Sequence, residues 1–187
     1  CFDNSNIQGS LPTSSCVVFK NGLPSKKDYR IFKIKTITKA DDFASMREVV
    51  FRRYKRVLDE KGDLPDLIVI DGGKGQLSSA KESLKRLWLS GKIAIIGIAK
   101  KLESIYFPND KIPLFIDKKS PSLKLIQTIR NEAHRFAINY HKKRRLKSTL
   151  SSALTDIAGI GEKTAELLIR KIGSVRRIYE TDLDILS

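Results

Sequence analysis

The spacing of apolar positions along the chain resolves into an ordered series of elements. Phe2–Gln8 reads as a first strand. Two further strands, β-branched and partly alternating, follow in SSCVVFK (Ser14–Lys20) and YRIFKIKTI (Tyr29–Ile37). Asn21-Gly22, with Pro24 just beyond, marks a turn between those two. In ADDFASMREVVFRRYKRVL the period lengthens. Phe43, Met46, Val49, Val50 and Tyr54 recur at helical spacing, and Asp41 or Asp42 supplies the cap. Asp66–Ile70 is a strand entered from Pro65, and Gly75–Leu89 a helix with Leu77, Ala80, Leu84 and Leu87 on one face. Ile93–Ala99 (IAIIGIA) is a strand buried on both sides, as parallel strands between helices are. Leu102–Ile116 reads as a strand pair, and Pro121 opens a long helix reaching to about Leu146.

The order β-β-β-α-β-α-β, then a hairpin and a long helix, predicts an α/β domain in which helices cover a mixed sheet. Past Leu150 the texture changes. SALTDIAGIGEKTAELLIRKIGSV reads as a short amphipathic helix, a Gly-Ile-Gly turn and a second helix ending at Gly173. A boundary near Lys147–Ser152 therefore divides residues 1–147 from a small all-α region, 148–187.

One stretch joins the pattern to chemistry. In DLPDLIVIDGGKGQL the apolar run Leu67–Ile70 ends on Asp71, two glycines, Lys74 and Gly75. A Walker A loop needs Ser or Thr after its lysine, and Lys74 is followed by Gly75. A dinucleotide fingerprint needs a third glycine where Ser78 stands. Nucleotide binding is disfavoured on both counts. What remains is an aspartate at the carboxyl end of a strand, where sites in open α/β sheets lie, with glycines that let a backbone come close. A buried aspartate is costly without a cation or several hydrogen bonds. The plain alternative is a carboxylate capping its own turn.

Charge changes the picture more than composition does. Thirty-six basic residues against twenty-one acidic ones give +15, an excess that points to a polyanion, nucleic acid above all. The run HKKRRLK at His141–Lys147 strengthens this reading against a merely solvated basic surface: Lys142, Lys143, Arg144 and Arg145 stand in sequence. His141, opening that run, is expected to face solvent or phosphate. No apolar run approaches a membrane span, and no secretory signal opens the chain, which begins at Cys1 without a Met and so reads as a piece of something longer. Two cysteines and two histidines make neither a disulfide framework nor a Cys/His metal site.

Asp71 has company. Asp3 lies on the first strand and Asp42 at a helix start. In a ribonuclease H-like sheet built from β-β-β-α-β, the first and fourth strands are central neighbours, which brings Asp3 beside Asp71. Close carboxylates repel unless a divalent cation sits between them, and carboxylate oxygens suit Mg²⁺ and Mn²⁺. Such an ion serves phosphodiester cleavage. Asp42 is a further candidate, with an N-cap as its alternative role. On the long helix the apolar stripe is Ile126, Ile129, Ala133, Phe136, Ala137 and Tyr140. His134 falls on its shoulder with Arg130 one turn earlier. The histidine is a candidate acid or base and the arginine a candidate phosphate ligand, against a structural or surface role for either. His134 has small neighbours that let the helix approach the sheet, so it is expected nearer Asp3 and Asp71 than His141.

The segments CFDNSNIQGS, VVFKNGLPSKKDYRIFKIKT, DDFASMREVVFRRY, PDLIVIDGGKGQLSSA, IGIAKKLESIY and SPSLKLIQTIRNEAHRFAINYHKKRR cover nearly all of residues 1–147. In these segments the chain resembles the carboxyl-terminal half of the UvrC family, the incision subunit of the bacterial UvrABC excision nuclease. The resemblance implies a cytoplasmic, ribonuclease H-like endonuclease cutting on the 5′ side of a lesion in damaged double-stranded DNA delivered by UvrB. It implies an Asp-Asp-His site using Mg²⁺ or Mn²⁺, by position Asp3, Asp71 and His134, with a further aspartate at Asp42. Where the family usually has D-I-S-H, this chain has Asp3-Asn4-Ser5-Asn6. Asn6 can hydrogen-bond a phosphate but exchanges no proton near neutrality.

Ile157-Ala158-Gly159-Ile160-Gly161 fits a helix-hairpin-helix, in which Gly159 and Gly161 expose backbone N–H groups to a DNA phosphate and Lys163 and Thr164 add side chains. A plain helical hairpin is its alternative. The family ends in two such hairpins, and one is visible here. The competing function is a DNA-binding module of the same fold that does not cut. The set Asp3, Asp71 and His134 argues against it, because a binding surface favours cations there.

Overall fold

The structure, a computed structural model, describes residues 1–5, 12–35, 41–99 and 103–181. Its strands are β1 (Phe2–Ser5), β2 (Thr13–Cys16), β3 (Phe19–Lys20), β4 (Leu23–Pro24), β5 (Arg30–Lys33), β6 (Leu67–Asp71), β7 (Ala94–Ala99) and β8 (Ser104–Tyr106). Its helices are α1 (Asp42–Asp59), α2 (Lys74–Arg86), α3 (Pro121–Thr155), α4 (Glu162–Ile172) and α5 (Val175–Glu180). The chain divides into two compact units, Cys1–Ile138 and Asn139–Ser187.

Six strands of the first unit form one mixed sheet in the order β5-β2-β1-β6-β7-β8. β1 runs antiparallel to β2 and parallel to β6, β6 is parallel to β7, and β8 closes the edge antiparallel to β7. This is the α/β class expected, with the first strand beside the strand that follows α1.

Alternation decides which side chains go where. Phe2, Ile68, Ile70 and Ile95 point to one face and pack against Met46, Val49, Val50 and Tyr54 of α1 and Leu77, Ala80 and Leu84 of α2. Val69, Ile96 and Ile98 take the other face with Leu123 of α3, while Val17 and Tyr29 meet Ala133. Since successive side chains alternate across a strand, Asp3 and Asp71 both fall on the α3 face. Helix α1 starts as its sequence suggests. The Asp41 carboxylate accepts from the N–H groups of Phe43 and Ala44, which makes Asp41 the cap and Asp42 the first helical residue.

Four expectations are corrected. Ser14–Lys20 is not one strand. β2 ends at Cys16, and β3 pairs with β4 in a separate hairpin whose Asn21 and Gly22 both have positive φ (51° and 77°), as a two-residue type I′ turn requires. Leu102–Ile116 reduces to β8 and a single bridge, Ile105 to Leu114, because Pro108 and Pro113 offer no N–H to a ladder. α3 runs past Leu146 to Thr155, since nothing from Ser122 to Thr155 is a glycine or proline, and the first helix expected in the hairpin is the end of α3. A further helix, α5, follows Gly173 and is capped by Ser174, whose Oγ accepts from the Arg177 N–H. The ends of the first and third expected strands, Leu102, and Asn6 lie outside the described residues. Among the described residues no helix is long and apolar enough to cross a membrane.

Candidate active site

β1 and β6 are in register at Phe2 and Ile70, so the next residues on each strand, Asp3 and Asp71, are lateral neighbours on one face. Both are buried, at 1% and 4% exposure, which is rare for carboxylates and marks the pair as built in. α3 lies over this face. Ala133 and Ala137 are fully buried, and the Ser15 hydroxyl on β2 donates to the Ala133 carbonyl at 2.9 Å. The small residues let the helix backbone come close, and Tyr29 reinforces the contact by donating to Glu132 at 3.2 Å. Burial, and then the Glu132 carboxylate, push the Tyr29 hydroxyl up to about 12.

That approach sets His134 against the carboxylates. Its Nδ1 lies 3.2 Å from Asp3 Oδ2, while about half of its side chain stays exposed (53%). The site is thus two buried carboxylates with an imidazole at the rim. Asp3 fixes one ring nitrogen and leaves Nε2 for other work.

Close packing accounts for two glycines here, Gly97 of β7 and Gly75 in the DGGKG turn, whereas a Cβ on Gly73 would meet open space. A Cβ on Gly97 of β7 would meet the Gly72 carbonyl oxygen at 2.9 Å, and one on Gly75 would strike the Phe43 ring at 2.4 Å. The first lets the turn after Asp71 lie on β7, where the Gly72 N–H donates to the Ile98 carbonyl at 3.0 Å. The second seats α2 against α1. Lys74 reaches back from this turn to the Lys111 carbonyl and lies over the Tyr106 ring.

The other candidates fall into three groups. Asp42 is exposed at the α1 start, and its backbone carbonyl accepts from Asn4 Nδ2 at 2.8 Å, which ties the helix end to the residue after Asp3. Arg130 is mostly buried (13% exposed). Its Nη2 faces Glu103 Oε1 at 3.5 Å, and its Nε and Nη2 donate to Asn131. Sequence reasoning passed over Glu103, because no periodicity marks a turn residue ahead of a short edge strand.

In the second unit Lys142, Lys143 and Arg145 are exposed and Arg144 is half-buried. Gly159 is exposed with φ +88°, Gly161 caps α4, and Lys163 and Thr164 are exposed in its first turn. Leu154, Ala165 and Ile178 form the small core beneath. His141 does not face solvent as expected. It is buried (6% exposed), and that burial, with Arg144 and Arg145 adding to it, holds its pKa below the ordinary value. The signal was present, since Ala133, Ala137 and His141 recur every fourth residue, one face of a helix.

The donor chemistry suits a hard divalent cation. Among the described residues no three His, Cys, Asp or Glu side chains are grouped to cage an ion. Two carboxylates fit the habit of Mg²⁺, which keeps several waters and completes its shell with phosphate oxygens.

Comparison with known proteins shows the family. The chain is 62% identical over 180 residues, 96% of its length, to the UvrABC system protein C of Christiangramia forsetii. It is 57% identical over its whole length to that of Porphyromonas gingivalis, and 50% identical over 99% of its length to that of Salinibacter ruber. It spans 30%, 31% and 30% of these relatives' own lengths. The family model described as the UvrC RNAse H endonuclease domain matches residues 1–138, and the chain belongs to the UvrC family.

Proposed function

We propose that this chain is the part of a nucleotide excision repair nuclease that cuts damaged double-stranded DNA on the 5′ side of a lesion. It would act within a longer protein that receives its substrate from UvrB. The observation that carries the reading is the pair of buried carboxylates, Asp3 and Asp71, side by side on neighbouring strands with His134 held on Asp3.

Asp3 and Asp71 would hold Mg²⁺ or Mn²⁺, which when bound polarises a phosphodiester and activates water. The protein's own contribution is orientation and proton handling. With Asp3 facing Nδ1, His134 presents Nε2 to take a proton from an attacking water or return one to the leaving oxygen. Asp42, whose backbone carbonyl is held by Asn4, would serve as an auxiliary carboxylate at the start of α1. The +15 charge supports a polyanionic substrate. In the second unit the exposed Lys142, Lys143 and Arg145, with Gly159, Gly161, Lys163 and Thr164 at the α4 start, would grip phosphates without reading bases.

The test is Mn²⁺-dependent nicking of an end-labelled lesion-bearing duplex, beside calorimetric titration of Mn²⁺ into protein alone. Asp71→Asn should lose both nicking and Mn²⁺ uptake while keeping its circular dichroism spectrum. A folded Asp71→Asn protein that nicks like the parent overturns the metal-site reading. A parent protein that binds the duplex and never nicks it favours the binding module instead.

A further inference from the structure

One helical turn along α3 from His134 begins a second cluster that the incision chemistry does not use. Glu103 is the turn residue ahead of β8. Because Ala99 of β7 pairs with Ser104, and Ile98 with Asp71, Glu103 stands at the same end of the sheet as Asp71. Its backbone is left-handed (φ 53°), a conformation unfavourable for a residue with a side chain, so the turn holds it in place. Two side chains of α3 converge on it. Gln127 Nε2 donates to Oε2 at 2.5 Å, and Arg130 Nη2 faces Oε1 at 3.5 Å. Gln127 and Arg130 are three residues apart and Arg130 and His134 four, so all three share one side of the helix.

The arginine is turned inward. Its side chain is 13% exposed, and Nη1 is buried with no hydrogen-bond partner among the described residues. A phosphate could not reach that atom without opening the ion pair. A guanidinium enclosed in this way, one turn from His134, is placed to fix the helix and not to grip DNA.

We infer that Glu103 and Gln127, acting through Arg130, are positioning residues that lock the rotation of α3 and so hold the His134 ring on Asp3. The inference rests on the nuclease reading above. In the next turn of the helix, Ser15 and Tyr29 hold Ala133 and Glu132. Two sets of fastenings therefore hold the stretch of α3 leading to His134, and Glu103 belongs to one of them. Releasing it lets the helix roll, and a small misplacement of a catalytic group is costly in rate.

The experiment uses the full chain, Mn²⁺ and the lesion duplex. Glu103→Ala and Arg130→Ala should each lower turnover at saturating DNA by about ten- to a hundredfold, with the KM for DNA little changed. The double variant should be no slower than the slower single, because both act through one contact. Arg130→Lys, which keeps the charge, should recover much of the loss. The slope of log K against log salt should not move in Arg130→Ala. If it falls by about 0.9, Arg130 contacts a phosphate and the positioning role is wrong. Losses that multiply in the double variant also overturn it. Should Arg130→Ala fail to fold, Arg130→Lys and Glu103→Gln carry the same cycle. Asp71→Asn is run alongside. If it is inactive while Glu103→Ala cuts normally, this inference falls alone; if Asp71→Asn cuts, the nuclease reading falls with it.

Discussion

Gly97→Ala tests whether the turn carrying Asp71 is held by close approach. The added Cβ would lie 2.9 Å from the Gly72 carbonyl oxygen and 3.4 Å from Leu77 Cβ, whereas ordinary contact begins at 3.4 Å. The oxygen must therefore retreat by about 0.5 Å. It belongs to backbone, not to a flexible side-chain end, and its own residue is fixed by the Gly72 N–H bond to Ile98. Inserting one methyl into so tight a contact costs about 1–3 kcal/mol. For a chain of this size that corresponds to a fall in Tm of roughly 2–12 °C.

The displacement should also reach the chemistry, because Gly72 directly follows Asp71 and β6 is registered on β7 up to Asp71–Ile98. A shift of this size relative to Asp3 should lower nicking by about tenfold or more. Thermal melts and nicking at saturating Mn²⁺ read the two effects separately. Gly73→Ala is the control. Nothing lies within 4 Å of its added Cβ and its φ of −82° suits any residue, so its cost is that of a changed N-cap, below about 1 kcal/mol. A Gly97→Ala protein that melts and nicks like the parent would show that Gly97 has no part in placing Asp71.

Lys163→Ala should reduce the slope of log K on log salt by about 0.9 if its ammonium meets one duplex phosphate; an unchanged slope removes it from the interface. His141 is held below its ordinary pKa of 6.5 by burial first and its arginine neighbours second. Its native form therefore resists a proton that the unfolded chain accepts. Stability should be full above pH 6.5 and decline as pH falls below it, and His141→Gln should flatten that decline in melts between pH 7.5 and 5.5. An identical acid decline in the variant would refute the assignment. Tyr29→Phe should cost about 1 kcal/mol through the lost Glu132 bond, and in the parent the Tyr29 ring resonances should titrate near 12, not 10. His134→Ala should lower turnover about a hundredfold with His141→Ala close to the parent; the reverse order would misplace the helix over the sheet.

What the sequence disclosed follows from period. Phe2, Asp3 and the run Ile68–Asp71 obey strand alternation, so the facing of the two carboxylates was implicit once β1 and β6 were neighbours. The helices were legible from their apolar spacing, and Ala133 and Ala137 already indicated where α3 would lie closest. Sequence spacing carries no such signal for contacts made by chance of tertiary placement. Glu103 meets Gln127 and Arg130 across more than twenty residues of chain, and no local pattern relates them.

Charge misled in one place for a physical reason. A run of cations suggests a solvated face, yet a helix turns 100° per residue, so consecutive residues cannot share one environment. His141 belongs by position to the buried stripe that its neighbours Lys142 and Lys143 leave. Arg130 shows the same rule in reverse. Its type suggested a phosphate ligand, but its place one turn before His134, on the side facing β8, supplied a carboxylate first. In both cases the helical face settles a residue's surroundings before its charge does. On the proposed reading, the charges left to meet DNA are those that the stripe does not bury.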